Sequence, residues 1–287
     1  MKDCWFRHNE LMQKLPPLLQ KLFQKAEGEG VNLYLTGGYL RDFLFGRPSK
    51  DYDLAIEKRP EDLPAFLYDL VEEDALQAHG LRYGSLAWKD TYGKFQITAC
   101  RKEENYDGHY PMALTFGVKW EEDAGRRDFT LNAFAWNPHR GWIDTVGAWE
   151  DYCTRRLRMI GNAQERLRED PLRILRALRF LAQEQLAAEM TLERCLTDGS
   201  FLENNLRQVP KSHRNAEMQK IFEIADLASI RSYASLVFSL YFPNISEWDT
   251  FPWKASAEKR WRRIAASLSE GERQEFRREW NLPRRIF

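Results

Sequence analysis

The sequence reads as an α+β protein, with strand-like segments in its first half and helix-like segments in its second. Three observations carry that reading. Apolar positions at helical spacing (Leu11, Leu15, Leu18, Leu19, Leu22, Phe23) run through residues 8–27. Short apolar or alternating runs with turn signals between them follow. Beyond "GRRDFTLNAFAW" helical patterns dominate, as in "PLRILRALRF".

Taken in order, "GEGVN" ends the first helical pattern and "VNLYLT" is a buried strand. Gly37-Gly38 is a turn, and "YLRDFLFG" is a short helix closed by Gly46. "KDYDLAIE" alternates as a strand, which puts Asp51 and Asp53 on one face. A helix is expected from Pro60 to about Leu76. "LRYGSLAWK" and "KFQITACR" flank "DTYG" as a hairpin, and the polar stretch 102–123 is expected to be a mobile loop. There is no internal repeat and no low-complexity tract.

Composition narrows the chemistry. The 287 residues are enough for two or three units, and 43 basic residues balance 43 acidic ones. Distribution therefore says more than net charge. Arginines crowd residues 155–179, and the C-terminal segment interleaves Arg and Lys with Trp253, Trp261 and Trp280. That mixture suits nucleic acid, although a solvated helical face is the commoner cause. Cys4, Cys100, Cys153 and Cys195 are scattered without a C-x-x-C pair, so neither a zinc site nor a disulfide framework is expected. No run reaches the roughly 20 apolar residues of a membrane span, and the N-terminus has no apolar leader. A cytoplasmic protein without a membrane partner is the expectation.

Three motifs carry chemistry. Asp51 and Asp53, at i and i+2 of a strand, are like charges held together, which a hard cation such as Mg²⁺ would relieve. A solvated strand face also carries such pairs. The nearby Gly37-Gly38, between a strand and a helix start, offers backbone N–H groups to a triphosphate. In "RRDFTLNA" Asp128 and Asn132 lie four apart and share a face if helical, beside Arg127. In "REDPLRILRALRF" Asp170 precedes Pro171 as an N-cap would, while Arg173, Arg176 and Arg179 recur every three residues. Capping and solvation would account for these residues. A carboxylate beside a guanidinium also complements the pairing edges of C and A and opposes those of G and U. Each mismatch costs about 1–3 kcal/mol.

In this order and spacing the motifs resemble the class II tRNA nucleotidyltransferase (CCA-adding enzyme) and bacterial poly(A) polymerase family. "GGYLRD…KDYDL" is similar to its metal motif, "RRDFTLNA" to its ribose and phosphate motif, and "EDPLR" to its nucleotide-selecting motif. "GWIDTVGAWEDYCTRRLRMIG" is similar to its connector. The resemblance covers residues 31–183. It implies a polymerase beta-like nucleotidyltransferase head with a small mixed sheet (31–160), carrying an N-terminal helix (1–30). A helical neck (161–225) and a short helical body and tail that contacts RNA (226–287) would follow. It further implies metal binding by Asp51 and Asp53, and triphosphate contacts from Gly37, Gly38 and Arg41. Arg127, Asp128 and Asn132 would hold sugar and phosphates. Glu169, Asp170 and Arg173 would shape the base pocket, with Arg176 near the phosphates. The implied partners are CTP, ATP and the tRNA 3′ end, and the implied cofactor is Mg²⁺.

The sequence departs from the family pattern in places. Gln96 stands where members carry a third carboxylate, with Glu103 or Glu104 as compensating candidates. The Gly-Phe after the neck helix is missing from "AQEQLAAEMTLERC", and the region beyond residue 225 is short. Complete CCA addition is the leading expectation. "LRYGSLAW" lacks the basic run associated with poly(A) polymerases, and "RKEENYDGHYPMALTF" resembles the loop that CC-only members shorten. An A-only enzyme stays open, as does a catalytically idle RNA-binding homologue, which Gln96 motivates.

Overall fold

Two helices open the chain, α1 (Lys2–Lys14) and α2 (Pro17–Gly28), where the sequence periodicity reads as one. Pro16 and Pro17 make the break, because neither carries an N–H for the helical ladder; Pro17 starts the second helix at its first position. This computed structural model describes residues 2–107, 110–243, 245, 247–266 and 268–286. The chain divides into two units, Met1–Asn105 with Pro111–Thr154, and Tyr106–Tyr110 with Arg155–Phe287.

The first unit is built on a mixed sheet. After β1 (Leu33–Thr36) come α3 (Gly37–Leu44) and β2 (Asp51–Ile56). The expected helix after Pro60 is broken into 3-10 turns at Pro60–Asp62 and Glu73–Ala75 around a short α4 (Leu63–Leu67). β3 (Ser85–Lys89) and β4 (Lys94–Ala99) form the expected hairpin. The stretch expected to be a loop instead forms β5 (Arg101–Asp107) and β6 (Tyr110–Phe116), a two-stranded ladder, and then α5 (Trp120–Gly125). Two further strands, β7 (Ala135–Asn137) and β8 (Gly141–Ile143), lie where helices were expected; α6 (Ala148–Cys153) ends the unit. The main sheet has the order β3-β4-β2-β1-β7-β8. Only β2 and β4 pair in parallel within it.

Register in this sheet is set by aromatic packing. Tyr52, Phe95 and Trp88 are Cα partners across β2, β4 and β3. Their rings stack at 4.8 Å and 5.3 Å between centroids, and Tyr39 of α3 extends the row at 4.6 Å from Tyr52. All four are buried. Because side chains alternate, this row forces Asp51, Asp53, Lys94, Gln96, Ala87 and Lys89 onto the opposite face. Glu57, at the end of β2, accepts from Asn32, Tyr34, Lys119 and the Trp120 N–H at 2.9–3.1 Å, tying α5 to the sheet. The opening helices pack on this unit through Trp136, whose indole donates to His8 at 3.0 Å and meets Phe23 edge-on.

From Arg155 onward the second unit is mainly helical, with a short parallel pairing of β9 (Arg156–Leu157) with β10 (Ala187–Ala188). Its helices are α7 (Ala163–Glu169), α8 (Leu172–Gln183), α9 (Met190–Thr197), α10 (Gly199–Leu206), α11 (Lys211–Glu223), α12 (Arg231–Tyr241), α13 (Ala257–Ile264) and α14 (Glu270–Glu279). Asn162 and Asp198 cap α7 and α10 by accepting from Glu165 and Phe201 N–H groups. Trp253, Trp261 and Trp280, candidates for contact with nucleic acid, are instead buried with Phe222, Phe238 and Phe242. Arg260 also lies inside. It donates to the carbonyls of Phe222, Ile224, Ala225, Pro252 and Trp253, and burial lowers its pKa to about 10. It therefore caps the end of α11.

Phe95, fully buried at the centre of the aromatic row, is the test of this register. Phe95→Ala is expected to destabilise the protein by about 3–5 kcal/mol, read from the shift in urea midpoint. A loss below about 1 kcal/mol would show that the row does not hold the sheet.

Candidate active site

Strand β1 ends at Thr36, the Cα partner of Asp53 on β2. The next residue, Gly37, has φ +69° and begins α3. A β-carbon there would lie 2.8 Å from Asp53 Oδ2, so the carboxylate is seated where only glycine leaves room. The Gly38 N–H donates to the same carboxylate. Burial pushes the Asp53 carboxyl above its ordinary range and neighbouring Asp51 adds to that, while Arg127, the Gly38 N–H and Arg41 pull the other way. Asp51 is exposed at the start of the strand. Both carboxylates border a cleft of about 410 Å³ with Gln96, Lys94, Ala87 and Lys89.

The second motif meets this site through one polar chain. Arg41 is buried and donates to Asn132 Oδ1 at 2.7 Å and to Asp42 at 2.8 Å. Asn132 Nδ2 donates to Asp128 Oδ1 at 2.9 Å, and the Phe129 N–H donates to that same oxygen. The motif is not α-helical: Thr130–Asn132 is a single 3-10 turn, and Asp128 and Asn132 meet all the same. Arg127 donates to the Asn132 carbonyl at 3.1 Å and to Asp123 Oδ2 at 3.1 Å, and its guanidinium lies 4.7 Å from the Trp120 ring centroid. Asp123 is buried, which alone would raise its pKa; Arg127, Arg126 and the Arg101 N–H outweigh that and hold it below the ordinary range.

In the second unit, Asp170 Oδ1 accepts from the Leu172 N–H, so the capping role and the polar role coexist. Arg173 is buried on α8 rather than solvated. Its Nη1 donates to the Arg166 carbonyl at 2.8 Å and reaches Glu169 at 3.4 Å; its Nε is 3.7 Å from Asp170 Oδ2. Within the same unit the Tyr106 ring centroid lies 5.5 Å from its guanidinium carbon. Arg176 and Arg179 face Glu217 of α11 at 3.9 Å and 2.7 Å. Sequence reading missed Asp123, Tyr106 and Glu217. Asp123 looks like ordinary helix-start acidity in "WEED", and the other two carry no motif.

Residues 33–158 match the Poly A polymerase head domain. The CCA-adding enzyme of Geobacillus thermodenitrificans is 30% identical over 284 residues, covering 94% of this chain and 68% of that protein. The chain belongs to the CCA-adding enzyme family. It is a nucleotidyltransferase. A crystal structure of the Bacillus stearothermophilus CCA-adding enzyme in complex with CTP superposes with a TM-score of 0.75 at 26% identity, over 95% of this chain and 68% of that one. The Thermotoga maritima CCA-adding enzyme complexed with tRNA shares the fold, with a TM-score of 0.72 at 22% identity over 96% and 69%.

CCA-adding enzymes work with divalent metal, and the donors here fit one: two hard oxygen ligands, Asp53 being destabilised as an anion by burial and by Asp51. Gln96, at the family's third-carboxylate position, pairs in register with Asp53 and brings an amide in place of a charge. Among the described residues no group of three or more His, Cys, Asp or Glu side chains gathers to hold a metal. Glu103 does not compensate, being held by Arg101 at 2.6 Å and Arg126 at 3.1 Å, and Glu104 pairs with Lys102. At the family's missing Gly-Phe, Gln185 adopts φ +52° and Leu186 is buried. No helix among the described residues is long and apolar enough to cross a membrane.

Gly37→Ala tests the seat of Asp53. It is expected to cost about 1–2 kcal/mol of stability from the left-handed backbone. Displacing the carboxylate is expected to lower nucleotide incorporation about 100-fold or more. Activity within a few-fold of the parent would show that the contact does not position Asp53.

Proposed function

We propose that the protein adds C and A, taken from CTP and ATP, to the 3′ end of tRNA without a nucleic acid template, releasing pyrophosphate. One observation carries the reading: a strand carboxylate seated against a glycine helix start, beside a second carboxylate and within one polar network with Arg41, Arg127, Asn132 and Asp128. The names of its relatives, and the CTP complex of one of them, support the same substrates. We assign the activity to the cytoplasm, where mature tRNA is used. In this reading residues 31–160 form the catalytic head with 1–30 packed on it, 161–225 the neck, and 226–287 the part that grips RNA.

Asp51 and Asp53 would hold magnesium ions. Bound there, the cations offset charge developing on the attacking 3′ oxygen and the departing pyrophosphate. The Gly37 and Gly38 N–H groups and Arg41 take the triphosphate. Arg127 faces the phosphates, and Asp128 with Asn132 grips the sugar hydroxyls. Glu169, Asp170 and Arg173 read the base: Asp170 accepts from the exocyclic amine and Arg173 donates to the ring nitrogen that C and A share. Arg176 adds charge for the phosphates. Gln96 favours a second reading, an idle homologue that binds RNA without turnover.

Incubation with tRNAs ending before, within and one short of CCA, with CTP, ATP or both, separates these readings by product length. Completed CCA ends are expected; CC-only, A-only or long A ladders would each reassign the activity, and RNA binding without extension would favour the idle homologue. Asp51→Asn and Asp53→Asn are expected to abolish extension with the fold retained by circular dichroism, and undiminished extension in either would refute the metal assignment. Arg173→Ala is expected to relax selection against GTP and UTP by about 10-fold or more. Unchanged selectivity would remove Arg173 from base reading.

A further inference from the structure

The cleft beside the acid pair extends away from the glycines, and its far side carries charge that no role above uses. Lys94 of β4 is the Cα partner of Asp51, and Lys89 of β3 is the Cα partner of Lys94. All three therefore lie in one row on the open face of the sheet. The next row runs Asp53, Gln96, Ala87. Both lysines are exposed and line the cleft. Among the described residues neither has a carboxylate oxygen within 4.0 Å, Asp51 included. Like charges directly opposite one another on paired strands disfavour the sheet, which an anion between them would offset.

We propose that Lys89 and Lys94 form a subsite for a phosphodiester of the RNA strand whose 3′ end is extended. The inference deepens the reaction assigned above and rests on it. The triphosphate cradle, Gly37-Gly38 and Arg41, follows β1 and so flanks β2 on one side; the lysines stand on β4 and β3, on the other. In phosphoryl transfer the attacking and leaving oxygens are roughly in line across the phosphorus. A pyrophosphate that leaves toward the glycines is thus paired with a hydroxyl that arrives from the β4 side. The nucleotide bearing that hydroxyl brings its own 5′ phosphate into the cleft, and the lysines are the cations there. Gln96 and Ala87 suit the same path. A neutral amide does not repel a phosphodiester as a carboxylate would, and a methyl group leaves the floor of the groove low.

The experiment compares the parent protein with the Lys89→Gln/Lys94→Gln double variant. One titration uses a tRNA lacking its terminal A across a range of salt; a second uses ATP alone, by equilibrium dialysis. RNA affinity is expected to fall about 10-fold, with the slope of log K against log salt reduced by about 1, and ATP affinity to stay as it was. Lys89→Arg/Lys94→Arg is expected to restore RNA affinity, since charge and not ammonium shape is what the site needs. Unchanged RNA affinity and salt slope in the glutamine variant would overturn the subsite. A variant that loses ATP affinity and keeps RNA affinity would overturn it too, because the lysines would then serve the triphosphate. If the parent binds RNA through these lysines and yet does not extend it, the catalytic assignment fails while the subsite stands.

Discussion

Asp53 stands where it does because residue 37 has no side chain. Two demands meet at that glycine: a left-handed backbone, which lets the chain leave β1 and enter α3 within one residue, and clearance for a carboxylate oxygen. The pairing of Thr36 with Asp53 puts the turn and the acid side by side, and the Thr36 hydroxyl, donating to the Phe134 carbonyl at 2.8 Å, pins β1 at that point. Once the helix starts there, Arg41 falls one turn further on, where it meets Asn132. A displaced glycine would therefore move the carboxylate, the amide donors and the guanidinium together.

The arginines assigned to phosphates share a second device, a buried carboxylate beneath them. Arg127 rests on Asp123 in the first unit, and Arg176 with Arg179 on Glu217 in the second. Both acids pay for burial in desolvation, yet guanidinium charge holds each below its ordinary pKa, so both stay ionised. A guanidinium braced in this way has already lost the rotamer freedom that a free surface arginine loses only on binding. Such bracing separates these arginines from Arg262 of α13, which pairs with the exposed Glu258.

Much of this was legible in the chain because it depends on local geometry. Alternation in "DYDLAI" put Asp51 and Asp53 on one face, and the glycine pair marked the strand-to-helix turn. Where distant contacts decide, reading failed. "RKEENYD" has no apolar alternation to announce a strand, because it pairs in a two-stranded ribbon instead of covering a core. "RRDFTLNA" has helical spacing, but its polar groups are claimed by Asp123 and Arg41, and the backbone settles for one 3-10 turn. The tryptophans near the C-terminus looked suited to stacking on bases, yet a helical unit this small needs large rings for its own interior. A buried arginine such as Arg260 is invisible in sequence, since only the carbonyls converging on it reveal the role.

Gln96 alters the charge arithmetic of the site rather than its shape. A carboxylate at that register would stand beside Asp53, already raised by burial and by Asp51, and would add a third like charge to the same cleft. With an amide there, the acid pair keeps its repulsion and the groove leading toward Lys94 and Lys89 carries one negative charge fewer. Glu103 does not repay the loss, because it would have to abandon Arg101 and Arg126 and break a half-buried ion-pair cluster. Of the acid pair, Asp51 is the exposed member on the lysine side of the cleft, whereas Asp53 is the one seated against Gly37, so a charge change at Gln96 falls beside the member with the less room to move.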